Sequence, residues 1–267
     1  MTSRTFNRAP EGFVGCFGHR GAAGIFPENT LEGFLLAARI GVDVIETDAH
    51  VTRDGRVVLC HDPNVDRTTD GEGAIAAMTY AELRSLDAGA RFADRDGIDV
   101  FRGCGLRVPL LEEALAALPS NRFNIELKSH EDGAAQLLGE AIERGGGVGR
   151  VLLASEDGGV MNEIRRVISW APTSCSSAEV FGFLTGLHED HYEPPPACAL
   201  QVPDVFSGFE VVTDAFVRRA KSLEMLVHVW TINEPAAMRR LRAMGCDGII
   251  TDHPERWALS SPAPRSP

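Results

Sequence analysis

Short apolar stretches of this sequence end in polar side chains that can perform acid–base or anion chemistry. Three such stretches stand out, and they carry His19 with Arg20, Glu46 with Asp48, and Glu126 with Lys128. Residues i and i+2 of a strand share a face. If these stretches are strands, Glu46 and Asp48 point the same way, and so do Glu126 and Lys128. The sequence therefore predicts two acid-bearing strand faces close to a histidine and an arginine.

The three carboxylates Glu46, Asp48 and Glu126 favour a cation site. Carboxylates that face one another in a partly buried position repel, so either some are protonated or a cation lies among them. An all-oxygen set suits a hard ion, Mg²⁺ or Ca²⁺, better than zinc. For Glu46 and Asp48 taken alone, an exposed strand edge with ordinary salt bridges is the open alternative. The third carboxylate, on a neighbouring strand end, favours the metal.

Turn geometry predicts a place for His61. Asp54-Gly55 is a favoured two-residue hairpin turn, and residues that face each other across it have numbers summing to 109. Asp48 would then lie opposite His61, which brings an imidazole beside the proposed metal. A β-bulge would shift this register by one residue. The alternative interpretation is that His61 only caps the end of the strand.

Strand-like runs alternate with helix-period segments along the chain, including short runs such as Thr173–Ser177. Many of the strand runs are apolar without interruption, which is typical of parallel strands buried on both faces. About eight β-then-α units in 267 residues predict a (β/α)₈ TIM barrel; a doubly wound sheet is the alternative, but no G-x-G-x-x-G follows the first strand. Barrel enzymes carry their catalytic groups at the carboxyl ends of the strands. Asn29 with Glu32 matches a helix-capping pattern.

The domain prediction is a single catalytic domain over residues 1–259. Residues 66–108 look like a small insertion after the second strand, with one short helix and a segment rich in glycine and aspartate. The composition of residues 260–267 predicts a disordered tail.

Charge and composition exclude several classes of protein. The net charge is −12, from 38 acidic and 26 basic residues, and a nucleic-acid binder would need a basic surface. The sequence contains neither a signal-peptide pattern nor an apolar run long enough to span a membrane. Six scattered cysteines without a C-x-x-C pair are expected to be reduced thiols. We expect a cytoplasmic protein that acts on a small molecule, and its oligomeric state stays open.

Seven motifs, in order along almost the whole chain, resemble the glycerophosphodiester phosphodiesterase family. They are GHRG at 18–21, PENT at 27–30, E-x-D at 46–48, HD at 61–62, IELK at 125–128, VWTIN at 229–233 and GIITDHP at 248–254. Each motif is weak alone, and the combination of HR, E-x-D and HD is highly specific. The resemblance implies a TIM barrel with a small insertion after the second strand. It also implies metal-dependent hydrolysis of glycerophosphodiesters to glycerol 3-phosphate and an alcohol.

The resemblance further implies a role for each matching residue. These are acid–base catalysis for His19 and His61, phosphate binding for Arg20 and Lys128, divalent-metal binding for Glu46, Asp48 and Glu126, and a place on the alcohol side of the pocket for Gln201 and Trp230. It also implies that the glycerol 2-hydroxyl attacks phosphorus to give a cyclic phosphate. The residues themselves leave direct attack by water open.

Two other functions are compatible with the same barrel. A lysophospholipase D-type enzyme on lipid diesters would need an apolar groove at the barrel mouth, which Phe181, Phe183, Phe206 and Phe209 could supply. A non-catalytic barrel that binds phosphodiesters is the second, and the retained set of two histidines, three carboxylates, arginine and lysine argues against it.

Overall fold

The chain is described as a computed structural model that covers residues 14–93, 97–187, 189 and 191–260. Its strands are β1 (Gly15–Gly18), β2 (Val44–Val51), β3 (Val57–Leu59), β4 (Arg122–Leu127), β5 (Val151–Ala154), β6 (Ala199–Pro203), β7 (Val205–Phe206), β8 (Phe209–Glu210), β9 (Leu226–Trp230) and β10 (Gly248–Thr251). Its α-helices are α1 (Leu31–Ile40), α2 (Tyr80–Arg84), α3 (Leu111–Ala117), α4 (Ala134–Arg144), α5 (Gly158–Val167), α6 (Ser177–Thr185), α7 (Asp214–Ser222) and α8 (Pro235–Met244). Short 3₁₀ helices span Ile75–Ala77 and Pro254–Ser260.

The central sheet is TIM-barrel-like. Its parallel strands follow the spatial order β5–β4–β2–β1–β10–β9–β6, and β3 pairs antiparallel with β2. The two edges of this sheet approach each other through residues 173 and 174: Thr173 bridges Leu153 of β5, and Ser174 bridges Ala199 of β6. The predicted strand run at 173–177 is thus reduced to two bridges, because Ser176 already caps helix α6.

The interior of the sheet changes from apolar to polar along the strands. A small cluster of buried side chains forms the floor, namely Phe17, Val44, Leu152, Ala199 and Ile250. Two and four residues after Val44, the same face of β2 carries Glu46 and Asp48. The outer faces of the strands pack against the helices in two larger apolar clusters. Burial on both faces explains the uninterrupted apolar runs of the sequence.

The segment between β3 and α3 forms an apolar cluster of its own around Val65, Ile75, Leu83 and Leu106. Its helical parts are the 3₁₀ turn and α2, and the bounds 66–108 for an insertion stay a prediction. At the other end of the chain, Ser260 is buried and accepts a hydrogen bond from Arg242, so it belongs to the folded part. The rest of the predicted tail, 261–267, lies outside the described residues.

Over the part of the chain that the structure describes, no helix combines the length and apolar character that crossing a membrane requires.

Candidate active site

A cavity of about 540 Å³ opens at the carboxyl ends of the central strands. All nine residues that the sequence proposes for the site line it: His19, Arg20, Glu46, Asp48, His61, Glu126, Lys128, Gln201 and Trp230. The i, i+2 prediction for β2 and β4 is confirmed in this respect, since both members of each pair face the cavity. The carboxyl ends of parallel strands are where this fold concentrates chemistry.

His19 follows β1 and is held by a carboxylate from the other end of the chain. Its Nδ1 lies 2.6 Å from Oδ1 of Asp252, which follows β10, the parallel neighbour of β1. Asn233 donates to the second oxygen of Asp252 at 2.7 Å. Burial alone would lower the pKa of His19, but the bond to Asp252 and the charge of Glu46 outweigh it and raise that pKa. A carboxylate only accepts hydrogen bonds, so the ring carries its proton on Nδ1.

The predicted hairpin register is wrong by one residue. Ala49 pairs with Leu59 and Val51 with Val57, so paired numbers sum to 108, and Asp48 faces Cys60, whose N–H donates to the Asp48 carbonyl at 3.0 Å. The reason is a three-residue loop in which Gly55 adopts a left-handed φ of 73°, typical of a type I turn followed by a bulge. His61 lies one residue beyond the predicted pair and still reaches the cavity.

His61 has a carboxylate partner beside it in the chain. Its Nδ1 lies 2.6 Å from Oδ1 of Asp62, and its carbonyl accepts a hydrogen bond from His50 Nε2 at 3.1 Å. The hydrogen bonds of Asp62 with Arg67 first, and with His61, lower the pKa of that carboxyl to about 2. Asp62 is therefore ionised at neutral pH and accepts the proton that His61 carries on Nδ1.

Acidic and basic groups alternate across the middle of the site. Glu46 and Asp48 are buried, and Lys128 Nζ lies 2.9 Å from Oε1 of Glu126 and 3.7 Å from Oδ1 of Asp48. Burial, followed by the charge of Asp48, raises the pKa of Glu46 to about 7. Burial also raises the pKa of Glu126. It would lower that of Lys128, but Glu126 and Asp48 outweigh it and raise the Lys128 pKa.

The three carboxylates Glu46, Asp48 and Glu126 offer the oxygen ligands that a hard cation prefers, but their positions fit such an ion only in part. Glu46 and Asp48 are adjacent carboxylates with unfavourable mutual charge, which a divalent ion would relieve. Glu126 is drawn towards Lys128 instead. Among the described residues, no three histidine, cysteine, aspartate or glutamate side chains are grouped closely enough to hold a metal ion. Glu46 and Asp48 thus fit such an ion, and Glu126 would join them by leaving Lys128.

Arg20 adopts a backbone conformation that few residues other than glycine accept, with φ of 47°. Its N–H donates to Glu46 Oε2 at 2.9 Å, and Nη1 donates to Glu28 Oε1 at 3.0 Å. The turn is tight: a Cβ on Gly18 would overlap the carbonyl oxygen of Gly21. Such strain persists where the surroundings fix the chain, and it clusters at functional sites. Here it aims the Arg20 guanidinium across the cavity.

Asn29 serves the site and does not cap helix α1, so the capping prediction was wrong. The N-cap is Thr30, whose hydroxyl accepts from Gly33 N–H. Asn29, in a left-handed conformation with φ of 52°, donates to Asp48 Oδ2 at 3.1 Å. It also accepts from Thr47 Oγ1 at 2.7 Å. Asn29 therefore gives the buried Asp48 carboxylate a neutral hydrogen-bond donor.

Sequence reasoning missed the partners of the site residues. These are Glu28, Asn29, Asp62, Arg67, Asn233 and Asp252. All except Arg67 lie inside motifs that the sequence analysis quoted, namely PENT, HD, VWTIN and TDHP. Each of these motifs thus contributes at least one residue that holds a residue of the cavity wall in place, directly or, for Asn233, through Asp252.

The opposite side of the cavity is apolar. Gln201 donates to Asn124 Oδ1 at 2.8 Å and marks the boundary between the two sides. Trp230, Phe181 and Phe206 line the apolar part, and Phe206 lies on the small hairpin β7–β8. Phe206 and Phe181 are 64% and 69% exposed.

Phe183 does not belong to this surface, contrary to the prediction of a four-phenylalanine groove. Phe181 and Phe183 are two residues apart on helix α6, so they leave it on different sides. Phe183 is fully buried, with its ring 5.0 Å from that of Phe216. Phe209 is 77% exposed on the same hairpin as Phe206.

Comparison with known proteins assigns this arrangement to a family. A model of the glycerophosphoryl diester phosphodiesterase family matches residues 19–256. The chain is 30% identical over 246 residues to the glycerophosphodiester phosphodiesterase of Caldanaerobacter subterraneus subsp. tengcongensis, covering 89% of this chain and 93% of that protein. It is 28% identical over 265 residues to rat lysophospholipase D GDPD1, covering 89% and 83%. A crystal structure of a Silicibacter pomeroyi protein assigned to the glycerophosphoryl diester phosphodiesterases superposes with a TM-score of 0.77 at 29% identity, covering 96% of both chains.

Proposed function

The chain belongs to the glycerophosphoryl diester phosphodiesterase family, and on that premise we propose that it hydrolyses glycerophosphodiesters to glycerol 3-phosphate and an alcohol. The reaction would use His19, His61 and a divalent metal ion. One observation carries the proposal: two histidines, each with a carboxylate 2.6 Å from its Nδ1, line the same cavity as Arg20 and Lys128.

The cations of the site would bind the phosphate. A phosphodiester carries a negative charge that grows on its non-bridging oxygens as phosphorus is attacked, so the wall must supply positive charge or donors. Arg20 has a buried Nε–H that makes no hydrogen bond within the described residues, although Asp48 lies 3.3 Å away. Lys128, the residue that follows β4, faces the cavity. Both groups support an anionic substrate.

The two histidines would move the protons. Each ring keeps a proton on Nδ1 for its carboxylate, which leaves Nε2 as the nitrogen for proton transfer. One imidazole would take the proton of the attacking hydroxyl, and the other, in its protonated form, would give one to the leaving alcohol. Which histidine acts as the base and which as the acid depends on the orientation of the bound substrate.

Glu46, Asp48 and Glu126 would hold Mg²⁺ or Ca²⁺. When bound, the ion supplies Lewis-acid stabilisation of the phosphoryl oxygens. Glu126 can contribute only if its pairing with Lys128 opens, and that same change frees Lys128 for the phosphate. The proposal therefore couples the metal and phosphate sites through one side chain.

An assay of choline or ethanolamine release from glycerophosphocholine and glycerophosphoethanolamine tests the function, with Mg²⁺, Ca²⁺ or excess chelator. We expect hydrolysis with at least one ion and none in chelator. Full activity in chelator would remove the metal from the mechanism. No hydrolysis under any condition, with phosphodiester binding retained, would favour a non-catalytic barrel. A 2-deoxyglycerol analogue separates the nucleophiles, because it is inert if the glycerol 2-hydroxyl attacks and is cleaved if water does.

A lysophospholipase D-type activity is the second candidate, favoured by the exposed rings of Phe181 and Phe206 at the mouth and of Phe209 on the same hairpin as Phe206. These rings could receive the acyl chain of a lysophospholipid. Choline release from lysophosphatidylcholine and from glycerophosphocholine, compared at equal enzyme concentration, distinguishes the two substrates. A kcat/KM higher for the lipid would make the lipid diester the better substrate.

The proposal includes two points of organisation. We interpret residues 66–108 as a small insertion after the second strand and the ring of strands as a complete (β/α)₈ barrel. We also expect the enzyme to work in the cytoplasm, where thiols stay reduced; all six cysteines are free in this structure.

A further inference from the structure

A continuous network of ionisable side chains runs along the outside of the cavity from one proposed site residue to another. It begins at His61 and passes through Asp62, Arg67 and Glu28 to the guanidinium of Arg20. The contacts are 2.6 Å from His61 Nδ1 to Asp62, 2.6 Å from Arg67 Nε to Asp62, 2.7 Å from Arg67 Nη1 to Glu28 and 3.0 Å from Arg20 Nη1 to Glu28. Arg67 is the centre of this network.

Arg67 binds two carboxylates at once. Nε and Nη2 both donate to Asp62, at 2.6 and 3.2 Å, while Nη1 and Nη2 both donate to Glu28, at 2.7 and 2.8 Å. The planar guanidinium fixes the angle between its two partners, which a lysine ammonium does not. Glu28 precedes α1 and Asp62 follows β3, so Arg67 joins two separate parts of the cavity wall.

This arrangement differs from the ordinary ion pairs of the same region. Arg84 contacts Glu113 at 3.4 Å with both side chains well exposed, and exposed pairs of that kind contribute little to stability. Glu28, in contrast, has only 17% of its side chain exposed. Burial would raise the pKa of Glu28, but Arg67 and Arg20 outweigh it and lower that pKa. Both anions that Arg67 holds are therefore charged at neutral pH.

We propose that Arg67 is a positioning residue that fixes the Arg20 guanidinium, through Glu28, and the His61 imidazole, through Asp62, in one mutual geometry. Arg67 itself does not line the cavity and would not touch the substrate. The inference rests on the proposed function, because it assigns phosphate binding to Arg20 and proton transfer to His61. It makes the productive distance between these two groups depend on a side chain from the segment that follows β3.

The two arms of the network should separate in kinetics. Glu28→Gln disturbs the Arg20 arm, so KM rises with a smaller change in kcat. Asp62→Asn disturbs the His61 arm, so kcat falls with a smaller change in KM. Arg67→Ala releases both arms and should lower kcat/KM about 10- to 100-fold, the range for partners that orient reacting groups. Because Arg67 connects the arms, its effect combined with either other change should be less than the product of the two.

The experiment compares these three variants, Arg67→Lys and the control Arg84→Ala on a glycerophosphodiester that the wild type hydrolyses. Thermal unfolding and the Kd of inorganic phosphate, from calorimetry, are measured on every variant. We expect Arg84→Ala to match the wild type, and Arg67→Lys to recover only part of the loss because an ammonium cannot hold both carboxylates bidentately. Phosphate should bind about tenfold more weakly to Arg67→Ala and Glu28→Gln and unchanged to Asp62→Asn.

Unchanged kcat and KM in Arg67→Ala would overturn the inference, as would full rescue by Arg67→Lys. A lower melting temperature with normal kinetics would reduce Arg67 to a structural role and would also overturn it. If the wild type hydrolyses no glycerophosphodiester, the proposed function fails. The measurement of phosphate binding then still tests the part of the inference that concerns Arg20. Equal Kd values for phosphate in the wild type and in Arg67→Ala would overturn it.

Discussion

The two sides of the cavity differ in the interactions that their side chains make. On the polar side, formed by β10, β1, β2 and β4 with their following loops, His19 and Lys128 each have a charged partner within 3 Å. On the apolar side, formed by α6, β6–β9 and their loops, Phe206 and Phe181 project with most of their surface exposed. One side is fixed by a network of charges, and the other offers hydrophobic surface without directional contacts.

This difference separates chemistry from recognition. A preorganised polar wall lowers the barrier because its dipoles and charges need no rearrangement as the reaction proceeds. An apolar wall contributes through surface removed from water, at about 0.8 kcal/mol for each buried CH₂ group. Changes on the polar side should therefore alter kcat or KM for every substrate, and changes on the apolar side should alter kcat/KM only for substrates that carry apolar groups.

The largest effect is expected at the histidines of the polar side. His19→Ala and His61→Ala should each lower kcat by about 10²-fold or more, as expected for the loss of general acid–base catalysis. Both proteins should fold, because the rings lie at a polar mouth and not in the core. Steady-state kinetics on glycerophosphocholine and thermal unfolding measure the two effects, with the exposed His191→Ala as control. Retained activity in His61→Ala would leave His61 with a positioning role only.

The second effect concerns the carboxylates. A saturating divalent ion should stabilise the fold by about 2.7 kcal/mol at a hundredfold excess over Kd, which raises Tm by roughly 2–4 °C per kcal/mol. Glu46→Gln should remove most of this gain. Without metal, Glu46→Gln should melt above the wild type because it relieves the repulsion from Asp48. Differential scanning calorimetry with and without Mg²⁺ or Ca²⁺ measures each shift, and an equal gain in both proteins would exclude Glu46 as a ligand.

A smaller and selective effect is expected on the apolar side. Phe206→Ser combined with Phe209→Ser should lower kcat/KM for lysophosphatidylcholine about tenfold, equal to ~1.4 kcal/mol. The value for glycerophosphocholine should stay unchanged. Choline release reports on both substrates, and Leu259→Ser, at a residue that is 66% exposed and away from the cavity, is the matched control. An equal loss on both substrates would remove the distinction between the two sides.

The last effect is on stability and lies beneath the apolar side, at His228. Burial lowers the pKa of this histidine to about 3, whereas an unfolded histidine has a pKa of about 6.5. Between these two pKa values the unfolded chain binds a proton at His228 and the folded protein does not. The free energy of unfolding therefore decreases by about 1.4 kcal/mol for each unit by which the pH is lowered in this range. Urea unfolding at pH 7.5 and 5.5 should show a larger loss in the wild type than in His228→Gln. Identical losses would contradict the assignment.

The sequence predicted the wall of the cavity because its signals are local. Alternation on a strand places Glu46 beside Asp48 whatever the rest of the chain does. The hairpin register failed because two-residue and three-residue loops share the Asp54-Gly55 signal. A two-residue type I′ turn needs a positive φ at both residues, whereas here Gly55 has one and Asp54 does not. The bond of His19 to Asp252 joins residues 233 positions apart. It follows from the neighbouring positions of β1 and β10, which no spacing along the chain reveals.

Residues 173 and 174 form a seam between the two edges of the barrel-like sheet. Strands β2 and β4 share six residue pairs, whereas Thr173 makes one bridge to β5 and Ser174 makes one bridge to β6. Local opening is cheapest where backbone hydrogen bonds are fewest, so amide exchange at this seam should be faster than in β2 and β4. Ser174 lines the cavity. Local opening at the seam would therefore widen the mouth of the cavity beside α6 for a bulky substrate. His19, on the opposite side of the sheet, would keep its position.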